Sequence, residues 1–192
     1  MSSPTRVIAC GVFRPALAFL ELENRYPHVQ VTFLPSNLHL RPQQLENALR
    51  KEISTANERN EKVVCLYGDC LPDMGRFCQH LGAVKVPGLH CFQMLLGNER
   101  YHHLIEEISG TYFLDSDLIL NFEEYCAEPL ELSDDEIKRS LFGNYQRVLY
   151  MRQPSDPDLI SRAAEVAEFL HLSLEIRDAD YSHLERILSD LV

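Results

Sequence analysis

Basic residues are scarce in this sequence, and the scarcity limits the partners that we expect. The 192 residues include 18 Lys and Arg against 29 Asp and Glu, which gives a formal net charge of −11. Proteins that bind nucleic acid or anionic membrane surfaces present a basic stripe or patch to the phosphates. The sequence contains no such stripe. We therefore expect neither nucleic acid nor a membrane among the partners.

Long apolar runs and a leader sequence are missing as well. No segment reaches the roughly 18 consecutive apolar residues of a membrane span. Residues 1–10 lack the basic-then-apolar order of a signal peptide. Six cysteines in 192 residues fall well below the density of secreted disulfide scaffolds. These absences predict a cytoplasmic protein with reduced thiols.

The common nucleotide-binding and hydrolase motifs are also absent. A dinucleotide-binding turn needs several glycines, whereas the turn after the first predicted strand contains Gly11 alone. The sequence has neither a Gly-x4-Gly-Lys-Ser/Thr phosphate loop nor a Gly-x-Ser-x-Gly elbow. Nucleotide-dependent chemistry of these kinds is therefore disfavoured.

The apolar residues that are present predict an α/β fold. Short runs rich in β-branched residues predict strands near residues 7, 30, 64 and 148. Segments with helical periodicity alternate with these runs, and residues 15–26 form the first of them. This alternation is typical of βαβ units on a parallel sheet.

The same pattern suggests one three-layer domain. We predict a single Rossmann-like α/β domain over residues 1–192, with helices on both faces of a mainly parallel sheet. The pattern is less regular around residues 86–130, which are predicted to form an insertion.

Cysteine and histidine carry the main chemical signal, because zinc, iron and other borderline metals prefer thiolate and imidazole ligands. Several of these residues fall within one short stretch: Cys65, Cys70, Cys78, His80, His90 and Cys91. Their spacing matches neither a zinc ribbon nor a ferredoxin run. The spacing alone is a weak signal.

The position of these residues relative to the predicted strands is more informative. Ligands of open α/β sheets bind beyond the carboxyl ends of the strands. Three predicted strands are followed by His39, by Cys70 and by the pair His90 and Cys91. We predict that these four residues bind a metal ion, most simply zinc or iron. Asp69 would orient an imidazole ligand from behind.

A second group of residues is predicted to contact a substrate or cofactor. Tyr112 lies in a strand-like segment, whereas Tyr145 and Arg152 flank the late strand near residue 148. Strand-end positions of this kind commonly line the ligand crevice of a parallel sheet. Tyr112, Tyr145 and Arg152 are therefore the candidate cofactor-binding residues, together with Asp69.

Other polar residues are explained better by structure than by chemistry. Cys10 and Cys65 lie in apolar strands and Cys126 lies at a helix end, so these thiols are predicted to pack in the interior. Asp115 and Asp117 alternate near a strand end, where a solvated loop explains them as well as catalysis does.

A set of short motifs resembles the prokaryotic family catalogued as domain of unknown function 1638. The resemblance covers roughly residues 5–190. The motifs are Leu38-His39, Tyr67-Gly68-Asp69-Cys70, Gly88-Leu89-His90-Cys91, Gly110-Thr111-Tyr112-Phe113-Leu114 and Phe142-Gly143-Asn144-Tyr145, with Arg147 and Tyr150. Several short motifs in order are more specific than any one of them.

The resemblance implies a role near metal or one-carbon chemistry. Members often occur in genomes that use corrinoid-dependent methyl transfer, so a corrinoid cofactor or a corrinoid-system protein is an implied partner. Carried over by position, His39, Cys70, His90 and Cys91 are the family-like site residues. Members tend to have glycines directly after the Asp-Cys pair, whereas this chain has Leu71 to Gly75 there. An anion-binding turn at that point is therefore in doubt.

Three functions remain open from the sequence. The first is a metal- or metallocofactor-binding protein, in which an open coordination position could activate a substrate. The second is an accessory protein that carries a small molecule or cofactor without chemistry of its own. The third is an enzyme with Cys70 or Cys91 as nucleophile and His90 as base.

Overall fold

A computed structural model describes residues 3–192 and shows an α/β protein with parallel strands flanked by helices. The strands are β1 (Thr5–Cys10), β2 (Val29–Leu34), β3 (Lys62–Leu66), β4 (Ala83–Lys85), β5 (Thr111–Leu114), β6 (Arg147–Arg152) and β7 (Ser173–Asp178). The helices are α1 (Arg14–Phe19), α2 (Leu22–Arg25), α3 (Pro42–Glu58), α4 (Met74–His80), α5 (Cys91–Leu96), α6 (Asn98–Glu107), α7 (Ser116–Leu120), α8 (Asp135–Phe142), α9 (Ile160–Phe169) and α10 (Ser182–Ser189). The predicted fold class is confirmed.

The strands are distributed over two parallel sheets. The first sheet has the order β2-β1-β3-β4, and the second has the order β5-β6-β7. The described chain accordingly divides into two compact units, the first formed by residues 3–97 with 181–192 and the second by residues 98–180. The assignment of residues 1–192 to a single domain stays a prediction.

In the first unit, both faces of the central strands are covered. Val7 and Ile8 point to opposite faces of β1, and both are fully buried. Helix α3 covers the Ile8 face with Leu45, Leu49 and Ile53, which recur at the helical spacing of four residues. A strand that is buried on both faces reads as a continuous apolar run, which is why β1 is visible in the sequence.

In the second unit, β6 is the central strand and is equally buried. Val148 and Tyr150 pack into an apolar core with residues of α9, among them Ala163 and Val166. Arg147 begins the strand and is only 2% exposed. Its guanidinium donates to the Thr111 hydroxyl and the Leu104 carbonyl at 2.8 Å each.

Two segments differ from the predictions. The segment 15–26, predicted as one helix, divides into α1 and α2 because Glu21 adopts a left-handed conformation with φ of 50°. The segment around 86–130, predicted as an irregular insertion, contains α5, α6, β5 and α7. Because β5 pairs with β6 in parallel register, the part of this segment from residue 98 onward belongs to the second unit, whereas α5 belongs to the first.

No helix within residues 3–192 combines the length and the apolar character that a membrane crossing requires.

Candidate functional site

Two loops at the carboxyl edge of the first sheet are fixed to each other. The loop after β3 contains Asp69 and Cys70, and the loop after β4 leads to Leu89. The backbone N–H of Asp69 donates to the carbonyl of Leu89 at 2.7 Å. The ammonium of Lys85 lies 3.0 Å from the Asp69 carboxylate and donates to the Gly88 carbonyl at 2.6 Å. The chain segments that carry three of the predicted ligands are thus held together.

Gly68 allows this close approach of the two loops. A Cβ at position 68 would lie 2.6 Å from the backbone oxygen of Leu89, closer than real Cβ contacts. The constraint is steric, since any side chain would push the loops apart. Cys70 follows two residues after this glycine, and His90 follows directly after Leu89.

His39 lies at the same edge, in a 3₁₀ turn (Ser36–Leu40) that follows β2. Its Nδ1 is 2.6 Å from the carbonyl oxygen of Ser36. Because a carbonyl only accepts hydrogen bonds, Nδ1 carries the hydrogen, and a neutral ring then presents the lone pair of Nε2. A backbone carbonyl that fixes the ring in this way is the usual support of a metal-binding histidine.

The apolar core beneath the edge connects these segments. Cys10, Leu34, Leu38 and Cys70 all pack against the same buried cluster of the first unit. These residues end β1, end β2, precede His39 and follow β3, respectively. The cluster therefore supports the Cys70 thiol and, through Leu38, the turn that carries His39.

Cys70 is half-buried, and its burial decides its charge. Burial raises the pKa of the Cys70 thiol, whereas the nearby Lys85 ammonium lowers it by a smaller amount. The thiol is therefore protonated at neutral pH in the absence of a bound cation. Cys91 is also half-buried and begins α5, and His90 directly before it is exposed.

The four predicted ligands do not form a ready-made coordination shell. Among residues 3–192, no three side chains of His, Cys, Asp or Glu lie together in a group that could hold a metal ion. A structural zinc site takes four protein ligands and a catalytic one takes three. His39, Cys70, His90 and Cys91 are therefore not arranged as the complete ligand set of a bare metal ion.

The cysteines that were predicted to be structural are buried, with one exception. Cys65 is fully buried, and its thiol is hydrogen-bonded to that of Cys78, a buried cysteine for which no role was predicted. This bond and burial raise the pKa of Cys65. Cys126 is 3% exposed, and its sulfur lies 3.3 Å from the hydroxyl of Tyr112. Cys10 is only half-buried, since it ends β1.

The predicted cofactor-binding residues of the second unit make internal contacts. The Tyr112 ring lies edge-on to the rings of Phe142 and Tyr145, with centroids 5.1 and 5.6 Å apart. The Arg152 guanidinium is 2.6 Å from the Asp178 carboxylate. Contact with a cofactor stays a prediction for Tyr112, Tyr145 and Arg152.

Tyr67 belongs to the first edge but was not among the predicted site residues. Its side chain is 2% exposed, and its hydroxyl has no hydrogen-bond partner among the described residues. Burial raises the pKa of Tyr67, and the neighbouring Cys10, Cys70 and Cys65 thiols raise it further. In the sequence, Tyr67 is visible only as a tyrosine at the end of a strand. Whether its hydroxyl finds a hydrogen-bond partner depends on three other segments, so the sequence does not reveal it.

Of the two explanations that the sequence left open for Asp115, the solvated loop is wrong. Its side chain follows β5, is 5% exposed and accepts the backbone N–H of Leu118 at 2.8 Å, which caps α7. Burial raises the pKa of Asp115 to about 7, and the Asp117 and Asp156 carboxylates add to the shift. The second sheet therefore also has a buried ionisable group at its carboxyl edge.

A separate surface cavity of about 260 Å³ lies near β2 and the first helices. Arg14, Glu21 and Phe33 are among the residues that line it. None of the predicted site residues lines this cavity, and its volume is below the roughly 300–1,000 Å³ of typical small-molecule sites.

Comparison with known proteins gives one match. A family model described as "Protein of unknown function (DUF1638)" matches residues 33–188, which is most of the chain. No curated protein and no solved structure matches the chain. The matched range includes His39, Cys70, His90 and Cys91, as well as every strand from β3 to β7. The chain therefore belongs to the DUF1638 family.

Proposed function

We propose that this protein binds a metal ion, zinc or iron, or a metal-containing cofactor at the carboxyl edge of its first sheet, and that it does so in the cytoplasm. The observation that carries the proposal is the pair of bonds that joins the two loops. The contacts of Asp69 with Leu89 and Lys85 keep the Cys70 segment against the His90–Cys91 segment. Thiol and imidazole donors on joined loops suit borderline metals.

His39 supports the proposal from the other side of β1. Its ring is fixed by the Ser36 carbonyl, which leaves Nε2 as the coordinating atom. A metal that is already held in an organic cofactor needs only one or two protein ligands. His39 or Cys70 alone would therefore be enough to hold a corrinoid or a related cofactor.

Metal binding at Cys70 would be coupled to pH. A thiol binds a metal as the thiolate, so binding releases the proton that burial retains on Cys70. The affinity is therefore expected to rise with pH over the range below the raised pKa of this thiol.

The second candidate is an accessory protein that carries a small molecule or cofactor to a partner, such as a protein of a corrinoid system. The observation that favours it is the dispersed arrangement of the four donors within the described residues. A carrier that releases its cofactor needs few protein ligands, whereas an enzyme that retains a bare metal needs three or four.

Nucleophilic catalysis by Cys70 has less support. A catalytic cysteine has a lowered pKa, because the thiolate is the nucleophile. Burial raises the pKa of Cys70. The thiol is thus better suited to binding a cation than to attacking a substrate.

Titration with cobalt(II) under anaerobic conditions tests the proposal. We expect thiolate-to-cobalt charge-transfer absorption in the wild type, and a loss of affinity of more than about tenfold in Cys70→Ser. Cys126→Ser is the matched control, since Cys126 packs in the core of the second unit. Equal cobalt binding by wild type and Cys70→Ser would contradict the proposed metal ion.

A parallel titration with aquocobalamin addresses the cofactor alternative. Replacement of the cobalt-bound water by an imidazole shifts the corrin absorption spectrum, so wild type should shift it and His39→Ala should not. Identical spectra for the two proteins would remove His39 as the cofactor ligand.

A further inference from the structure

The carboxyl edge of the second sheet carries a separate group of buried polar side chains. Asp115 directly follows β5, and Gln153 directly follows β6. The two strands are neighbours in parallel register, with Leu114 opposite Tyr150. Because parallel strands end at a common edge, Asp115 and Gln153 emerge at the same edge of the sheet, with Asp115 level with Met151 and Gln153 two positions further along.

Asp115 and Gln153 also share one face of the two strands. The Arg147 guanidinium bonds to the Thr111 hydroxyl at 2.8 Å, so these two side chains lie on the same face. Asp115 is four residues after Thr111, and Gln153 is six residues after Arg147. Side chains alternate between faces along a strand, so the even spacing returns both residues to that face.

Asp156 supplies a third group with one oxygen unused. Its Oδ2 accepts the hydroxyl of Tyr150 and the backbone N–H of Gln153, each at 2.9 Å. Its Oδ1 is buried and has no partner within residues 3–192. The carboxylate is thus held firmly through one oxygen and presents the other.

The Gln153 side chain is the observation that points to a ligand. Its residue is 3% exposed, and neither Oε1 nor Nε2 has a hydrogen-bond partner in the described part of the chain. Buried polar groups in native proteins are nearly always paired, because an unpaired one is costly. An amide with both ends unpaired, three residues before a carboxylate that also has an unpaired oxygen, is suited to a bound molecule.

The inventory of donors and acceptors defines that molecule. Asp156 Oδ1 and Gln153 Oε1 accept, whereas Gln153 Nε2 donates. Asp115 and Asp117 add carboxyl groups nearby, and the Arg152 guanidinium at this edge is paired with Asp178. A negatively charged ligand would meet the carboxyl groups of Asp156, Asp115 and Asp117, and the guanidinium at this edge is already paired. A ligand rich in N–H or O–H groups would instead satisfy the free acceptors.

We propose that the carboxyl edge of the second sheet binds the donor-rich end of a small organic molecule without negative charge, through Asp156 Oδ1, the Gln153 amide and the Asp115 carboxyl group. A guanidinium or amidinium group and a polyol both offer the required pair of donors. This site is distinct from the carboxyl edge of the first sheet, which carries Cys70 and Cys91.

The titration of Asp115 separates a cationic ligand from a neutral one. Its carboxyl group faces the Asp117 and Asp156 carboxylates and the hydroxyls of Tyr112 and Tyr150. Burial raises the pKa of Asp115 to about 7. A cation favours the charged form, so its binding tightens as the pH rises through about 7, whereas a neutral polyol gains no charge attraction.

Saturation-transfer NMR with three probes tests the site: methylguanidinium, ribose and acetate. We expect one of the donor probes to bind wild type, with binding reduced at least about fivefold in Gln153→Met and in Asp156→Asn. Acetate should not bind. Gln43→Met is the matched control, because Gln43 is exposed on α3.

Thermal unfolding of the same variants distinguishes a ligand site from a packing role. Gln153→Met should be as stable as wild type or more stable, since the substitution removes an unpaired buried amide. The proposal is overturned if neither donor probe binds wild type, or if acetate binds equally well. It is also overturned if Gln153→Met unfolds at a lower temperature while probe binding is unchanged.

Discussion

The two sheets end in edges of opposite chemical character. The first edge carries Cys70 with Cys91 and His39, which are soft or borderline donors. The second edge carries Asp115 and Gln153, which are hard oxygen and nitrogen groups. Both edges arise from the same βα geometry, which fixes where side chains meet. The fold therefore determines where a site lies, whereas the residues at the strand ends determine what the site binds.

The central strands of the two sheets also differ in how they hold an arginine. The Arg6 side chain on β1 is 14% exposed and pairs with Glu61 at 2.9 Å. The Arg147 side chain on β6 is 2% exposed and pairs with Glu107 at 3.0 Å and with Glu175. The second sheet thus contains a buried arginine, Arg147, whereas Arg6 of the first sheet lies nearer the surface.

Substitution of these arginines should give the largest difference between the sheets. Arg147→Met removes the guanidinium that donates to the Thr111 hydroxyl and the Leu104 carbonyl, and it leaves both glutamates with Arg177 alone. We therefore expect it to lower the free energy of unfolding by about 3 kcal/mol. Arg6→Met should cost about 1 kcal/mol. Urea unfolding of both variants measures the contrast, and equal losses would contradict it.

The buried carboxyl group of the second edge should make stability depend on pH. The pKa of Asp115 is raised in the folded protein to about 7 from an ordinary value of 3.8, so the folded state binds more protons between these values. Stability from this group is therefore present at low pH and lost as the pH rises from about 4 to about 7. At pH 8 the charged Asp115 should lower the free energy of unfolding by an amount on the order of 3 kcal/mol, and Asp115→Asn should restore it.

A capping aspartate with the opposite shift provides the control. Asp134 accepts the backbone N–H groups of Ile137 and Glu136 at the start of α8, and these bonds lower its pKa. Its contribution to stability is lost as the pH falls, so Asp134→Asn should leave the slope above pH 5 unchanged. A slope between about pH 4 and 7 that is the same in wild type and Asp115→Asn would show that Asp115 is not buried as described.

A glycine pair tests the joined loops of the first edge. Gly68→Ala places a Cβ against the Leu89 carbonyl, so we expect a loss of about 2 kcal/mol together with weaker cobalt binding. Gly75→Ala in α4 meets nothing within 4 Å and should stabilise by up to about 1 kcal/mol. Unchanged cobalt affinity in Gly68→Ala would show that metal binding does not depend on the contact between the two loops.

The sequence predicts the strands well because burial on both faces leaves an apolar run that is visible locally. β1 and β6 are such strands. The division into two sheets depends on which strands pair, and pairing is set by contacts between distant segments. The division of segment 15–26 into α1 and α2 at Glu21 was not predicted, because the apolar residues keep their helical spacing across the break.

The site residues divide in the same way. Thiol and imidazole groups after strand ends are visible in the sequence, which is how Cys70 and His39 were found. For Asp115 the sequence left a solvated loop and catalysis both open, because its burial comes from elements far along the chain. Tyr67 and Gln153 were missed because an unpaired polar atom is recognised only when all neighbours are in place.

Metal binding at Cys70 is tested most simply by elemental analysis, together with an absorption spectrum, of the anaerobically purified protein. We expect a stoichiometric metal, as an ion or within a cofactor, in wild type and in Cys126→Ser. We expect a steep loss of that metal in Cys70→Ser. Metal content that is the same in Cys70→Ser as in wild type would show that Cys70 does not bind the metal. Wild-type protein that neither contains a metal nor takes one up would show that the first sheet has no metal site.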